Sequence, residues 1–402
     1  MKILVYSAYP GFTGSHRIAL QIATACRDAD HEITVAAPEE MEILARASAE
    51  GLKTAILPFP ADALPFGKAL LSRSTLSKLW TVVTKLLPYN LRVRRFIRSG
   101  EFDVVYAAQE RAIILMGLGA RLAHVPLLWH IQGGLLSGSG QIYRVIDWLA
   151  NKRVCVSSAV ADTVVEVLGE QSRNRLQVIH NGVPDVNENM TRPIESVGEN
   201  APFRVFFAGS IIPEKGVHHL IAAVGELQSR GLPVLLKIAG HPLDEGYLAH
   251  LKKLIGQHAL SGKAELLGTR DDIPALLDWS DVVVCPSVEK EFLDSPFGKW
   301  EIDWKEGFCL VALEGMRAFR AVVASDSYGL KEVVDDKVTG ERLAPGNYLL
   351  LADTLENLAK DEKKMIQYGE NGRKRFEELF TMRLMTDQFL TVFEEMGSRD
   401  TG

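Results

Sequence analysis

Two glutamates, Glu306 and Glu314, bracket an apolar run in KEGFCLVALEGMRA, residues 305–318. Carboxylates this close to a core cost free energy unless something partners them. A carboxylate accepts hydrogen bonds from pairs of sugar hydroxyls, so two of them can grip a ribose and a second sugar. Gly307 lets the chain turn tightly, and Phe308, Cys309 and Leu310 lead into a good helix. The free N–H groups at that helix start would attract a diphosphate. The same spacing also suits an amphipathic helix that carries two solvated acids.

Two further segments place polar groups at strand ends. In FAGSIIPEKGV, residues 207–217, a strand ends at a glycine and a loop presents Lys215 before the next helix. A lysine there is placed to meet a phosphate, or is simply a charged loop tip. In WHIQGG, residues 129–134, His130 closes an apolar strand just before two glycines. It can hydrogen-bond a sugar hydroxyl or a reacting centre, or serve as a satisfied core histidine.

These residues need a scaffold, and the 402-residue chain is long enough for two domains. Hydrophobic content of 47% and charged content of 24% are ordinary for a globular protein. No apolar run approaches the roughly 18–20 residues that span a bilayer. MKILVYSAYPG reads as a first strand and not as a signal peptide. Cys26, Cys155, Cys285 and Cys309 are scattered without a CxxC pair, which argues against zinc ribbons and thioredoxin-like sites and fits a reducing cytoplasm.

Strand-like runs recur at residues 2–6, 33–38, 54–59, 103–108, 126–131 and 153–158, and again at 203–209, 234–240, 264–268, 281–287 and 321–325. Amphipathic segments lie between most of them, as with Ile18, Ile22 and Cys26 on one helical face. Alternation of this kind predicts an α/β fold with parallel sheets and helices on both faces. Residues 184–202 hold three prolines and few large apolar side chains and read as a linker. The tail from about 347 to 396 is helical in pattern. Two Rossmann-like halves suit a ligand bound in a central cleft at the carboxyl ends of both sheets. GxGxxG and Walker A fingerprints are missing, which lowers the claim of NAD enzymes and P-loop NTPases.

Taken together, VCVSSAVADTVVEVLG…LQVIHNGVP, FAGSIIPEKGV, GTRDDIPALLDWSDVVVCPS and EGFCLVALEG…GLKEVVDDKVTG resemble the family 4 retaining glycosyltransferases of the GT-B fold. The resemblance covers nearly the whole chain and implies an acceptor-binding domain over 1–190, a nucleotide-sugar-binding domain over 191–375, and a C-terminal helix over 376–402 that crosses back to the first domain. It implies that Glu306 contacts the donor sugar near the reacting carbon, that Glu314 holds the ribose, and that Lys215 neutralises the donor diphosphate. His130 matches a histidine near the donor sugar. Gly14 matches a glycine where acceptor and phosphate approach the backbone. Asn181 and Gly182 match the NG that closes the N-terminal domain. No metal or cofactor is expected, because charge on the leaving diphosphate would be stabilised by the lysine, an arginine and the helix start.

The chain departs from the family pattern in several places. Ser210 stands where an arginine is usual, which either weakens catalysis or leaves another base, with Arg270 and Lys331 as candidates, to supply the second cation. Phe319 and Ala321 replace a usual glycine and proline, and Tyr328-Gly329 replaces a double glycine. Residues 289–304, EKEFLDSPFGKWEIDW, are longer than the family's loop and carry five acids and two tryptophans. They read as contacts to donor or acceptor, or as a surface elaboration.

Net charge is −6, yet Pro65 to Gly100 holds eight basic residues and no acid, leaving −6 − 8 = −14 elsewhere. One basic stretch on an acidic protein argues against general nucleic-acid binding. Lys78, Trp80, Lys85, Arg92, Arg94 and Arg95 read as an acceptor or membrane surface, or as the solvated side of packed helices. The expected activity is transfer of a sugar from a UDP- or GDP-linked donor to a glycan or lipid-linked acceptor, at the cytoplasmic face of an anionic membrane, in bacterial cell-surface or extracellular polysaccharide synthesis. A nucleotide-sugar 2-epimerase and a degenerate, non-catalytic nucleotide-sugar binder are the alternatives.

Overall fold

The structure is a computed structural model that describes residues 1–9, 11–59, 80, 82–135, 140–185 and 201–398. The fold is α/β, with two compact units. One comprises Met1–Val156, Ala161–Ile179 and Met385–Gly402, and the other Ser157–Val160 and His180–Leu384. The main division thus falls ahead of residue 190. Asn181 and Gly182 lie in the second unit, for a local reason. A Cβ on Gly182 would stand 2.3 Å from the Thr381 carbonyl oxygen, and Val183 exchanges backbone hydrogen bonds with Phe380 and Met382 at 3.0 and 2.9 Å. Most of the linker predicted over 184–202 lies outside the described residues.

The first unit is built on a seven-stranded sheet of β1 (Lys2–Tyr6), β2 (Glu32–Ala37), β3 (Lys53–Ile56), β4 (Val104–Ala107), β5 (Leu127–Ile131), β6 (Lys152–Cys155) and β7 (Leu176–Val178). The strand order is β3-β2-β1-β4-β5-β6-β7, and every pairing is parallel. Parallel strands covered on both faces need continuous apolar runs, and Val104–Ala107 is fully buried. The first helix, Gly14–Asp28, buries Ile18, Ile22 and Cys26 as their spacing requires. Farther along, the helix Leu87–Gly100 turns Tyr89, Asn90, Val93 and Ile97 inward, and the Asn90 side chain accepts from Gly119 N–H at 2.7 Å. Phe389 and Phe393, from the final helix, pack edge-on against Tyr106 at 6.1 and 6.0 Å.

The second unit repeats the winding. Its sheet joins β8 (Phe203–Ala208), β9 (Val234–Ala239), β10 (Ala264–Gly268), β11 (Val282–Cys285), β14 (Ala321–Ser325) and β15 (Gly340–Leu343) in the order β10-β9-β8-β11-β14-β15. All of these pairings are parallel as well. Val205, Leu236, Val282 and Val323 meet Leu220, Val224 and Leu355 from the flanking helices in one core. Between β11 and β14, residues 289–304 form an antiparallel hairpin of β12 (Lys290–Ser295) and β13 (Gly298–Asp303). Its alternation turns Glu291, Leu293, Trp300 and Ile302 inward while Phe292 is exposed.

Candidate active site

In the second unit the sheet order reverses between β8 and β11, the place where open α/β sheets bind ligands beyond their strand ends. The chain leaving β8 forms a short 3₁₀ turn, Pro213–Lys215, and then Gly216 at φ 66° before the helix Val217–Ser229. Only glycine fits there, since a Cβ would lie 1.9 Å from the Pro286 carbonyl oxygen. The chain leaving β11 supplies Ser287. Glu306 follows the hairpin, ahead of the helix Leu310–Arg317.

These three side chains converge. Lys215 Nζ lies 2.5 Å from Glu306 Oε2, and Ser287 Oγ donates to the same oxygen at 2.9 Å. The Glu306 side chain is 5% exposed and that of Lys215 is 20% exposed. Burial works against the lysine charge, but the Glu306 carboxylate together with Cys309 and Cys285 raises it, and the net shift is upward, so Lys215 stays cationic. Trp304 lies beside this ammonium, its ring centroid 5.8 Å away.

The glutamate loop is fixed by its backbone. Ser157 Oγ donates to the Gly307 carbonyl at 3.0 Å, and Gly329 N–H donates to the Glu306 carbonyl at 3.0 Å. A Cβ on Gly329 would be 2.0 Å from the Gly307 oxygen, so this member of the family's double glycine cannot change. Its neighbour Tyr328 has φ 28°, and Phe319 has φ 58°. At both positions the backbone keeps a conformation that glycine adopts without strain, while this chain carries an aromatic residue. Both rings are held by cations: Lys305 lies 5.4 Å from Tyr328 and Arg373 lies 5.6 Å from Phe319.

Phe308 and Cys309 are buried, and Leu310 opens the helix in which Glu314 lies, 7% exposed. Cys309 sits at the N-cap with its sulfur 3.5 Å from that of Cys285. The hydrogen bond between the sulfurs holds the Cys309 thiol below its usual range and pushes the Cys285 thiol well up. The two candidates for a second cation bond local aspartates. Arg270 grips Asp272 through two contacts of 2.7 and 2.5 Å, and Lys331 lies 3.7 Å from Asp326. Ser210 is half-buried in the turn after β8.

In the first unit, Gly14 opens the helix after β1, which adjoins β4 where this sheet reverses. The preceding loop is pinned by His16, whose Nδ1 accepts from Thr13 N–H at 3.2 Å while Nε2 donates to the Tyr9 carbonyl at 3.1 Å. Gln109, just past β4, donates to Ser15 Oγ at 2.8 Å. His130 is fully buried in β5, bonded through Nδ1 to Tyr106 Oη at 2.6 Å and packed on Phe389 at 4.9 Å. Burial pushes its pKa down to about 3, so the ring is neutral near pH 7 and moves no proton there. Its Nε2 is buried without a partner among the described residues.

Of the basic surface, Lys78 lies outside the described residues. Trp80 is 70% exposed, and Arg92 and Arg95 are exposed on the helix Leu87–Gly100. Lys85 is half-buried, and Arg94 donates to the Leu122 carbonyl at 3.2 Å, satisfying a free carbonyl at a neighbouring helix end. Ser287 and the Cys285–Cys309 pair were not singled out from sequence, and Trp304 was read only as one of the two tryptophans of residues 289–304. Ser287 carried one readable sign, its place at the carboxyl end of an apolar strand.

The family model described as glycosyl transferases group 1 matches residues 192–375, and that described as glycosyltransferase family 4 matches residues 12–186. The chain belongs to the family 4 glycosyltransferases. This glycosyltransferase is 27% identical to the alpha-maltose-1-phosphate synthase of Mycobacterium tuberculosis over 63% of its own length and 67% of the relative's. It is 25% identical to the phosphatidyl-myo-inositol mannosyltransferase of Mycolicibacterium smegmatis over 96% and 91% of the two chains. Its fold matches that of HepE from Anabaena, crystallised with UDP and glucose, at a TM-score of 0.79 and 22% identity over 98% and 99% of the chains. The activity class that follows is sugar transfer from a nucleotide sugar. Among the described residues, no helix is long and apolar enough to cross a membrane.

Proposed function

We propose that the enzyme transfers a sugar from a UDP- or GDP-linked donor to a hydroxyl of a glycan or lipid-linked acceptor, with retention and without a catalytic metal. The observation that carries this reading is the Lys215–Glu306–Ser287 cluster at the sheet's switch point. A diphosphate entering there competes with Glu306 for the lysine. The freed carboxylate, still bonded by Ser287, then accepts from a donor-sugar hydroxyl. Glu314 holds the ribose. The bond from the anomeric carbon to the phosphate oxygen breaks, Lys215 and the start of the helix Leu310–Arg317 stabilise the departing charge, and the acceptor oxygen attacks from the same face. The acceptor proton goes to the leaving phosphate oxygen. His130 shuttles no proton in this scheme. Exposed Trp80, Leu87 and Leu91 beside Arg92 and Arg95 suit peripheral contact with an anionic membrane that presents a lipid-linked acceptor.

The test is a thermal-shift titration with UDP, GDP, ADP and their common sugar conjugates on wild type and on Glu314→Ala. Ligand that binds only the folded state raises the melting temperature. One nucleotide should give a shift that the variant loses; no shift with any nucleotide overturns the reading. The second reading, a nucleotide-sugar binder without turnover, draws on Ser210, because Arg270 and Lys331 are both engaged elsewhere. A donor-dependent shift with no glycosyl transfer or donor hydrolysis would favour it.

A further inference from the structure

The inserted hairpin brings a carboxylate to a pair of histidines that the transfer reaction does not use. His218 and His219 are consecutive in the first turn of the helix Val217–Ser229. Consecutive helical side chains normally diverge by about 100°. Here both rings turn toward Glu291 on β12, and their centroids lie 4.1 Å apart. His218 Nε2 is 3.3 Å from Glu291 Oε1, and His219 Nε2 is 2.9 Å from Oε2. One ligand atom from each of the three residues lies within 4.8 Å of the others.

We propose that His218, His219 and Glu291 bind a divalent cation of the zinc class, which clamps the hairpin to this helix. Two imidazole nitrogens and one carboxylate oxygen are a donor set that zinc accepts, with a fourth position left for water. Zinc–ligand bonds of about 2.0–2.1 Å in a tetrahedron put ligand atoms roughly 3.3 Å apart, and the single oxygen Glu291 Oε2 lies 3.3 and 2.9 Å from the His218 and His219 nitrogens. A metal-bound histidine needs its other ring nitrogen held, and His218 Nδ1 lies 2.8 Å from Tyr247 Oη. That hydroxyl also accepts from the His218 backbone N–H at 3.3 Å, which fixes its position. His218 is 5% exposed, whereas Glu291 is 23% exposed, so the site is walled on one side and open to an entering ion on the other. Nearby, His250 Nδ1 is buried without a partner among the described residues, with its ring 6.5 Å from that of His218. The hairpin is otherwise tied down by Trp300, whose Nε1 donates to Asp244 at 2.8 Å. Its far end is Trp304 beside Lys215, so the cation would stiffen one wall of the lysine's surroundings without taking part in the transfer.

The test uses tag-free, full-length protein dialysed against a chelator and titrated with zinc chloride by calorimetry and with cobalt chloride by visible absorption. One equivalent should bind, and cobalt should develop the intense visible bands of a four-coordinate site. His219→Asn and Glu291→Gln should lose that equivalent while keeping the wild-type circular dichroism of the chelated protein. Tyr247→Phe, which acts only through His218, should weaken the affinity about 10–100-fold. Zinc should also slow amide exchange across residues 290–303. No binding at about 100 µM metal, where a built zinc site is saturated, overturns the proposal. So does an unchanged stoichiometry in His219→Asn and Glu291→Gln.

Discussion

Removing the charge of Lys215 tests the cluster through stability and through turnover separately. In Lys215→Met the side-chain length is kept and the ammonium is lost. The contact is 2.5 Å and Glu306 is 5% exposed. With an effective dielectric of about 20, the Coulomb attraction at that distance is about 6–7 kcal/mol. Desolvation of both groups offsets much of it, and breaking a buried pair from one side costs about 3–5 kcal/mol. Lys215 retains 20% exposure, which admits water and favours the lower end, about 3 kcal/mol. For a unit of this size each kcal/mol moves the midpoint by about 2–4 °C, so the second unit should melt roughly 6–12 °C lower. Differential scanning calorimetry on Lys215→Met, Glu306→Gln and the double variant measures this. The double variant has no buried charge left unpaired and should recover much of the loss, giving a coupling of about 2 kcal/mol. Turnover with the donor that the thermal-shift titration selects should fall about 10²–10³-fold in Lys215→Met. A midpoint within about 2 °C of wild type, or strictly additive losses, would refute the argument from a buried pair. Near wild-type turnover would refute the lysine's phosphate role.

Three further outcomes follow from the geometry. His130 is held neutral down to about pH 3, while in the unfolded chain it takes up a proton below about 6.5. The folded state therefore binds fewer protons, and stability is fully present above about 6.5 and lost as pH falls toward 3, by at most about 1.4 kcal/mol per pH unit. His130→Asn should flatten this acid limb in urea titrations between pH 6.5 and 4.5, and parallel limbs would contradict the assignment. Gly216→Ala meets the Pro286 carbonyl at φ 66° and should cost about 3 kcal/mol or prevent folding, and a midpoint unchanged in urea would show that the turn can relax. The sulfurs of Cys285 and Cys309 need to close from 3.5 Å to about 2.05 Å to form a disulfide, which would displace the start of the helix that carries Glu314. Glutathione disulfide should inactivate the enzyme slowly, dithiothreitol should restore it, and Cys285→Ser should resist; equal inactivation of the variant would count against the pair.

The parallel strands were legible because sheets covered on both faces demand runs such as ILVY and VVVC, which no solvated element would carry. The helix Gly14–Asp28 was legible from Ile18, Ile22 and Cys26 for the same reason. The hairpin was not, since KEFLDS turns a charge, Glu291, inward and an aromatic, Phe292, outward, and the cleaner alternation of GKWEID spans only six residues. β15, GERL, is short and carries two charges, one of them buried Glu341. At the site, Lys215 and Glu306 could be named from their segments, but they are 91 positions apart and nothing local predicts an ion pair between them. Glu291 and the two histidines were invisible as a group, because only the fold of the insertion brings them together. The changes at Phe319 and Tyr328 looked like departures in sequence, yet the backbone at both keeps a left-handed turn.

The missing Cβ atoms at Gly216 and Gly329 bear on how this enzyme can diversify. Each glycine seats one backbone directly on another, at the Pro286 and Gly307 carbonyls, and so fixes the two loops that carry Lys215 and Glu306. A frame locked in this way cannot be retuned by exchanging side chains within it, because the first added carbon already collides. Variation that leaves the frame standing has to accumulate where chain is added outside it. The outward face of the hairpin 290–303 is such a place: its exposed side chains can drift without touching either loop. Laboratory libraries aimed at altered substrate choice would accordingly retain more folded members if they vary the exposed face of that hairpin, beginning with Phe292 and Phe297, than if they vary the site itself.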